Sequence, residues 1–517
     1  MTAQAHRAGV LSGAVGFASR GIAQVLLFGV TILATRVLAV AEFGAYALGS
    51  LLLVAARQLF YVGPYEYLLK AKDSPGPGGQ FAPALTPALA GACLGANMVQ
   101  AGVLAAALVL AWLAARLVLA EPMVAEILGL LIPSLFTVAL AAWYEAVLLR
   151  RVRVRRYYAS TLAGDLAGAL AAVLLLLRGW GVTALVAQAY VRNLVVIALH
   201  AGATGQRPSF GRWDEIAAVL RWSRARYLAV ALTFTSTYGG DFVLGVSLSP
   251  AATGLFRAAS RIVSALADLF SQPLQKIAQT NLSASHARGR DSGTTWLTML
   301  SGVGTVAWAA LVTLAVTAHD LVPLALGEKW APAVPVVIVF CVIRGVSLLD
   351  AVTISVLVCR DRQRAMLKVQ AITAAAVIVL ALAAAPLGAT GVAIGVGIAA
   401  TGMSLAYVVM VMRLSRADGE ALLGLARTAG PPVLAVAAAL SLVAWARPDL
   451  TGAASILLRL SAAAMAFALA AFALRHRLLA AIGSLGHLPA AGPPPEPYAA
   501  PTPLAREPAV PEPVLTR

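Results

Sequence analysis

Apolar stretches long enough to cross a lipid bilayer follow one another almost without pause from residue 11 to residue 474. A helix needs about 20 apolar residues to cross roughly 30 Å of hydrocarbon. Hydrophobic residues make up 60% of the 517-residue chain and charged residues only 12%, a balance that excludes a soluble globular fold of this length. The sequence therefore predicts an all-α, polytopic membrane protein.

Proline, glycine and clusters of arginine divide this apolar sequence into about fourteen predicted transmembrane helices. The first apolar stretch continues past Arg20 without a small-residue cleavage site, so we expect a membrane span there and no cleavable signal peptide. The predicted spans are residues 11–35, 43–63, 84–115, 123–148, 158–178, 180–200, 225–247, 253–280, 294–318, 332–358, 366–386, 390–412, 429–446 and 453–474.

The net charge of +17 comes from basic residues that lie mainly between the predicted spans. With the N-terminus inside, the inner loops hold most of these residues, including a cluster at 150–156. The outer loops then hold only Arg36, Arg116, Arg178, Lys329 and Arg447. We expect a multi-pass protein of a bacterial inner membrane, and by the positive-inside rule this asymmetry predicts that both termini lie in the cytoplasm. The 150–156 cluster could bind anionic lipid, but insertion alone accounts for a basic inner loop.

A weak internal repeat has an offset of 210 residues. Leu38, Gly44 and Tyr46 match Leu248, Gly254 and Phe256, Arg150 matches Arg360, and Gly181 matches Gly391. Each repeat would hold six helices, so the sequence predicts two pseudo-symmetric six-helix bundles of parallel topology around a central cavity. We expect the bundles at residues 1–205 and 206–415, helices 13 and 14 at 416–483, and a disordered, Pro-rich cytoplasmic tail at 484–517.

Three short motifs resemble those of a known family. They are Glu-Phe-Gly-Ala-Tyr at residues 42–46, Asp-Phe-Val-Leu-Gly at 241–245 with the segment 254–259, and Leu-Gly-Glu-Lys-Trp-Ala-Pro-Ala at 326–333. In order and spacing they are similar to the polysaccharide transporter family, which includes O-antigen and exopolysaccharide flippases, within the multidrug/oligosaccharidyl-lipid/polysaccharide exporter superfamily. The resemblance implies a flippase that moves a polyprenyl-pyrophosphate-linked oligosaccharide by alternating access, for cell-surface polysaccharide synthesis and without covalent chemistry.

Charged side chains inside predicted spans are the candidate site residues. Each costs on the order of 2.5 to 3.5 kcal/mol near the bilayer centre, so it needs a partner or a water-filled cavity. At about 100° per residue, Arg257, Arg261, Asp268 and Gln275 fall near one face of the eighth predicted helix. Arg20 and Gln24 share a polar stripe with two threonines on the first helix, and Arg57 lies in the middle of the second.

The resemblance assigns roles to these positions. Related lipid II flippases place arginines on helices 1, 2 and 8 against the pyrophosphate of the substrate, which implies the same role for Arg20, Arg57, Arg257 and Arg261. Guanidinium groups suit this role because they bind phosphate in a planar, bidentate geometry. Gln24, Asp241, Asp268 and Gln275 would be polar cavity residues or sites of ion coupling. The alternative is that the arginines form structural ion pairs with Asp165, Asp241 or Asp268, the role that we favour for Arg192, Arg344 and Arg459.

Two further motifs have competing interpretations. We interpret Trp330 as a membrane-interface anchor in preference to a sugar-stacking residue. The glycines at 239 and 240 could provide a hinge or permit close helix packing. The cysteines at 93, 341 and 359 and the six histidines show no paired spacing, so the sequence predicts no disulfide, metal site or cofactor.

Other functions are also compatible with the sequence. A lipid II flippase-like protein or a multidrug exporter of the same superfamily is the nearest alternative. Four arginines against one aspartate on helices 1, 2 and 8 favour an anionic substrate and so argue against the multidrug exporter. A membrane glycosyltransferase or polymerase is less favoured, because no outer loop is long enough for a catalytic domain, and we expect no enzyme activity. A scaffold acting through the tail is a third possibility.

The expected partners are a lipid-linked oligosaccharide, membrane lipid and polysaccharide-synthesis proteins, with no nucleic acid, and we expect a monomer.

Overall fold

The computed structural model describes residues 3–70, 74–75, 81–82, 85–117, 122–151, 154–287, 292–415 and 419–476. Within these ranges the side chains of residues 3–18, of Arg20 and of some later helix residues are outside the description. Almost all of the described chain is helical, apart from a two-residue antiparallel pair formed by Ser74–Pro75 (β1) and Phe81–Ala82 (β2). The predicted all-α class is confirmed.

The first part of the chain forms eight helices. They are Ala3–Val37 (α1), Val40–Val62 (α2), Pro64–Lys70 (α3), Pro87–Leu117 (α4), Pro122–Leu131 (α5), Ser134–Arg150 (α6), Val154–Leu177 (α7) and Thr183–Thr204 (α8). Pro133 lies at the break between α5 and α6, where its missing N–H would interrupt a continuous helix. Gly205 closes α8 in the left-handed conformation at φ 62°, which glycine adopts without steric cost.

The second part has nine α-helices and two short 3-10 segments in its described residues. They are Trp213–Ser247 (α9), Pro250–Ala287 (α10), Ser292–Leu326 (α11), a 3-10 helix Glu328–Ala333, Val334–Ser347 (α12), Asp350–Cys359 (α13), Gln363–Ala384 (α14), a 3-10 turn Ala385–Leu387, Gly388–Ser415 (α15), Gly419–Ala446 (α16) and Gly452–Ala473 (α17). Each predicted span coincides with one helix, or with the pairs α5–α6 and α12–α13.

Ten helical stretches of the described ranges are long and apolar enough to cross a membrane, and one of them, Gln363–Ser415, contains both α14 and α15. Helices α9 and α10 have 35 and 38 residues, long enough to cross, but carry more charged side chains. The apolar part of α1 is shorter, Gly21–Val37. The chain is therefore a multi-pass membrane protein. The number of fourteen crossings and the orientation of the helices across the membrane stay predictions.

Helix boundaries follow the 210-residue offset that the sequence contains. Val37 and Ser247, the last residues of α1 and α9, are separated by that number, and so are Val40 and Pro250, which begin α2 and α10. The spatial symmetry of the two halves and the proposed domain limits stay predictions. The Pro-rich tail at 484–517 lies outside the described residues.

Helices α2 and α10 cross in direct contact through two glycines. A Cβ atom on Gly44 would overlap the carbonyl oxygen of Pro250, and one on Gly254 would lie 2.5 Å from the carbonyl oxygen of Val40. Gly44 and Gly254 are partners in the sequence repeat, and here they contact each other. The glycines allow the two backbones to approach as closely as small residues do in membrane helix pairs.

Two predictions about single motifs are decided by packing. Trp330 is fully buried, so its interpretation as an exposed interfacial anchor is wrong. Helix α9 continues without a break through Gly239 and Gly240, and a Cβ on either would press against side chains of α14 or α15. The two glycines therefore permit close helix packing in this structure.

The basic 150–156 segment also has structural contacts. Arg150 is buried and its Nη1 donates to the carbonyl oxygens of Leu68 and Leu69, at 2.6 and 3.3 Å. Arg151 donates to the carbonyl oxygen of Thr204 and, at 2.9 Å, to the side chain of Gln206. These two arginines stabilise the ends of α3 and α8, whose last carbonyls have no partner within the helix.

Candidate functional site

A cavity of about 740 Å³ lies between α2, α9, α10, α12 and α13, with single residues from α1 and α14 and a few from α15. Six of the eight predicted site residues line it: Gln24, Asp241, Arg257, Arg261, Asp268 and Gln275. The polar face of α10 points into this space, as the helical spacing predicts. The geometry of the predicted stripe is therefore present, and the roles of its members are considered below.

Arg257 is engaged in an ion pair. Its Nε lies 3.1 Å from Oδ1 of Asp241, a carboxylate that is only 2% exposed, whereas the arginine side chain is 20% exposed. The guanidinium carbon also lies 4.9 Å from the ring centre of Tyr238. Arg257 thus matches the structural alternative that the sequence left open, with Asp241 as its partner.

Arg261, one turn further along α10, is in a different situation. It is exposed, and its Nη1 donates a hydrogen bond of 3.2 Å to the hydroxyl of Thr31. This hydroxyl is a neutral group on α1. Asp268, seven residues further on, forms no ion pair with it. Among the described residues Arg261 has no carboxylate partner, so its charge is available to an anion in the cavity.

Arg57 lines a second space of about 560 Å³. Val54, one turn earlier on α2, lines both spaces, so the two are neighbours. Arg57 is exposed, and its guanidinium carbon lies 5.5 Å from the ring centre of Tyr61. Arg20 lies on α1, but its side chain is outside the described residues.

Two charged residues of the cavity were not predicted as site residues. Arg344 on α12 donates through Nη2 to the Ser264 hydroxyl at 2.8 Å. Asp350 begins α13, is buried, and accepts a hydrogen bond of 2.8 Å from the Ser404 hydroxyl. Both are charged residues inside predicted spans, so the sequence marks them as candidates, but it favours a structural role for Arg344 and assigns no role to Asp350.

The remaining membrane arginines have partners outside the cavity. Arg192 lies 2.5 Å from Asp165, and Arg459 lies 2.9 Å from Asp320. These ion pairs join α8 to α7 and α17 to α11. They fit the structural role expected for Arg192 and Arg459.

The charge balance of the cavity differs from the sequence expectation. The described lining holds three arginines and three aspartates: Arg257, Arg261, Arg344, Asp241, Asp268 and Asp350. The count of four arginines against one aspartate along helices 1, 2 and 8 does not carry over to this lining, because α9, α12 and α13 add Asp241, Arg344 and Asp350. In addition, Arg57 lines the second space, and the side chain of Arg20 is outside the described residues. What remains is a local excess of positive charge at Arg261.

Contacts between the three sequence motifs join the two parts of the chain at the predicted outer end of the bundle. The rings of Phe43 and Trp330 meet edge to face, with centres 5.4 Å apart. Lys329 and Trp330 donate to backbone carbonyls at the end of α1, and Gly44 packs on Gly254 beside them. Segments that are distant in sequence thus form one group of contacts, which we call the seal, and its member Phe43 also lines the cavity.

A family model described as polysaccharide biosynthesis protein matches residues 32–335, more than half of the chain. The chain belongs to this polysaccharide biosynthesis protein family. The resemblance seen in the sequence motifs is thereby confirmed. The match includes all three motifs and every arginine of the two spaces except Arg344.

Solved structures show the same fold at low identity. The lipid II flippase MurJ in an inward-closed conformation has a TM-score of 0.71 and 11% identity, over 91% of this chain and all of that one. An inward-facing multidrug resistance MATE transporter of the MOP superfamily has a TM-score of 0.57 and 12% identity, over 76% of this chain and 95% of that one. A MOP superfamily transporter from Pyrococcus furiosus has a TM-score of 0.51 and 11% identity, over 79% of this chain and 94% of that one. No curated protein sequence matches the chain.

Proposed function

We propose that this chain is a flippase that carries a polyprenyl-diphosphate-linked saccharide across a bacterial inner membrane by alternating access. Membership of the polysaccharide biosynthesis family supports a saccharide substrate. The fold that the chain shares with a lipid II flippase supports movement of a lipid-linked one. The observation that carries the proposal is Arg261, a guanidinium that faces the cavity with a neutral hydroxyl as its partner.

The arginines that a diphosphate meets in the cavity differ in whether a carboxylate already pairs with them. Arg261 binds it directly, since guanidinium and phosphate form charge-assisted, bidentate hydrogen bonds. Arg57, exposed at the boundary with the neighbouring space, is the second direct donor. Arg257 keeps its ion pair with Asp241 and holds α10 against α9, which fixes the direction of the polar face.

Transport then requires the seal at the outer end to open while the inner end closes. The seal consists of hydrogen bonds from two side chains to backbone carbonyls, one aromatic pair and the packing of Gly44 on Gly254, so it can be broken and remade. Such contacts contribute roughly 0.5 to 1.5 kcal/mol each, which permits exchange between two states. We propose that a single copy of the chain performs this cycle with both termini in the cytoplasm.

A multidrug exporter is the second candidate, because Asp268 lines the cavity without an ion pair among the described residues and could receive a cation. The fold is also shared with a multidrug resistance transporter. The two candidates differ in the sign of the substrate charge, which a transport assay can resolve.

The test uses the full chain reconstituted in liposomes. The probe is farnesyl diphosphate linked to N-acetylglucosamine with a fluorophore on the lipid, and dithionite reports the fraction in the outer leaflet. We expect the wild type to exchange this probe between leaflets and Arg261→Ala to slow the exchange at least tenfold, roughly the effect of one lost charged contact. Leu457→Ala, an exposed position on α17, is the matched control. Transport of ethidium without movement of the lipid probe would establish the multidrug alternative.

A further inference from the structure

The second space, beside the main cavity, has an unusual lining. Four tyrosines, one arginine and one glutamate surround it: Tyr61, Tyr65, Tyr157, Tyr158, Arg57 and Glu145. These residues define what we call the tyrosine pocket. They come from α2, α3, α6 and α7, so four separate elements place aromatic or charged groups around one volume of about 560 Å³.

The tyrosines form two pairs. The ring centres of Tyr61 and Tyr65 are 5.0 Å apart, and those of Tyr157 and Tyr158 are also 5.0 Å apart. All four side chains are half-buried, so part of each residue remains accessible from the pocket. An aromatic surface of this kind packs well against the C–H face of a sugar ring, and tyrosine adds a hydroxyl for hydrogen bonding.

Glu145 determines the charge that the pocket accepts. Its Oε2 accepts a hydrogen bond of 2.5 Å from the Tyr61 hydroxyl, and its Oε1 accepts one of 3.2 Å from the Tyr65 hydroxyl. Both oxygens act as acceptors in these bonds and retain further lone pairs for sugar hydroxyls. A buried carboxylate repels phosphate and acidic sugars, so the part of the pocket around Glu145 is unsuited to the diphosphate itself.

The position of the pocket connects it to the main cavity. Val54 lines both spaces, and Arg57 follows it by three residues, a rise of about 4.5 Å along α2. A ligand that spans the boundary would place its anionic part near Arg261 and its neutral part among the tyrosines. A lipid tail is a poor occupant, because the described lining offers only Val54 and Leu149 as aliphatic surface.

We propose that the tyrosine pocket binds the sugar attached directly to the diphosphate, and that this sugar is uncharged. The inference rests on the proposed function and adds a substrate requirement to it. Stacking on the two tyrosine pairs provides affinity, and hydrogen bonds to Glu145 orient the hydroxyls, while Arg57 stays with the diphosphate at the boundary. Glu145 excludes a first sugar that carries a carboxylate.

Binding to the purified full-length protein tests this inference with three probes. They are farnesyl diphosphate, the same lipid linked to N-acetylglucosamine, and the same lipid linked to glucuronic acid, each titrated by calorimetry. We expect the wild type to bind the N-acetylglucosamine probe about tenfold more tightly than farnesyl diphosphate, in line with the value of aromatic contacts. The glucuronic acid probe should show no such gain.

Variants separate stacking from charge. Tyr158→Leu should reduce the tenfold ratio to about one and leave the affinity for farnesyl diphosphate unchanged, while Tyr158→Phe should keep most of the ratio. Glu145→Gln should strengthen binding of the glucuronic acid probe severalfold. Tyr190→Leu, a tyrosine on α8 outside both spaces, is the control and should keep the wild-type ratio. Thermal unfolding of each variant verifies that it is folded.

The outcomes distinguish this inference from the proposed function. If the wild type binds farnesyl diphosphate and its N-acetylglucosamine derivative equally, the sugar pocket is wrong and the flippase proposal stands. If Tyr158→Leu weakens both probes by the same factor, the tyrosine has a structural role and the inference fails. If the wild type binds none of the three probes, the proposed function fails and the inference fails with it.

Discussion

The indole nitrogen of Trp330 donates a hydrogen bond of 2.8 Å to the carbonyl oxygen of Thr35, a residue 295 positions earlier in the chain. Lys329 adds hydrogen bonds of 3.0 and 2.6 Å to the carbonyl oxygens of Arg36 and Leu38. The last carbonyls of a helix lack partners within it. The 3-10 helix after α11 supplies those partners to α1 and thereby joins the two parts of the chain at the predicted outer end.

Removing one donor from this seal should favour its opening. Trp330→Phe keeps an aromatic ring against Phe43 but loses the hydrogen bond to Thr35, at a cost of about 1 kcal/mol or a fivefold population change. In a variant without native cysteines, spin labels at Arg178→Cys and Leu387→Cys should report longer distances by pulsed electron spin resonance. Trp445→Phe, at an 81% exposed position, is the control. Unchanged distances in Trp330→Phe would show that the seal does not govern opening.

The contact between α2 and α10 should be sensitive to a single methyl group. Gly44→Ala would place its Cβ against the backbone of Pro250, and overpacking of this kind costs about 1 to 3 kcal/mol. We expect a lower temperature of unfolding in a thermal-shift assay. Gly102→Ala on α4 has open space around the new methyl and should be neutral or stabilising. Equal melting temperatures for the two variants would contradict the close approach.

The orientation predicted from the arginine distribution can be tested with single cysteines. Glu328 lies at the predicted outer end and Arg362 at the inner end, and both are exposed. In the cysteine-free background, Glu328→Cys should react with an impermeant thiol reagent added to intact cells and Arg362→Cys should react only after the cells are lysed. The opposite pattern would reverse the topology.

Much of this architecture could be predicted from the sequence because a bilayer imposes strong local constraints. Apolar length predicted the positions of the helices, although the break at Pro133 falls inside the predicted span 123–148 and was not predicted. The 100° periodicity placed Arg257, Arg261, Asp268 and Gln275 on one face, and that face does line the cavity. These inferences need only neighbours along one helix.

The partners of those residues could not be predicted in the same way. Periodicity identifies the face of a helix but not the element packed against it, so the pairing of Arg257 with Asp241 was one of several open possibilities. Asp350 enters the cavity from α13, a helix that the motif pattern did not connect with the site. Trp330 resembled an anchor because interfacial tryptophans are common, and its burial depends on α1 folding against it.

The last prediction concerns the difference between Arg257 and Arg261. Removing Arg257 leaves the carboxylate of Asp241, 2% exposed, without its partner, which costs roughly 3 to 5 kcal/mol for a buried ion pair. Arg257→Ala should therefore lower membrane abundance and thermal stability, and Asp241→Asn in the same chain should restore both. Arg261→Ala strands no carboxylate, so stability should stay near that of the wild type.

Diphosphate binding should show the reverse order of effects. Arg261→Ala should weaken binding of farnesyl diphosphate about tenfold or more, because a charge-assisted contact of about 1.5 to 3 kcal/mol is lost. Arg261→Lys should recover part of the affinity, since it keeps the charge but not the planar fork. The Arg257→Ala and Asp241→Asn double variant, once folded, should bind within a few-fold of the wild type. If Arg261→Asp is instead rescued by Asp268→Arg, the two form a structural pair in a state of the transport cycle, and Arg261 is not the diphosphate ligand.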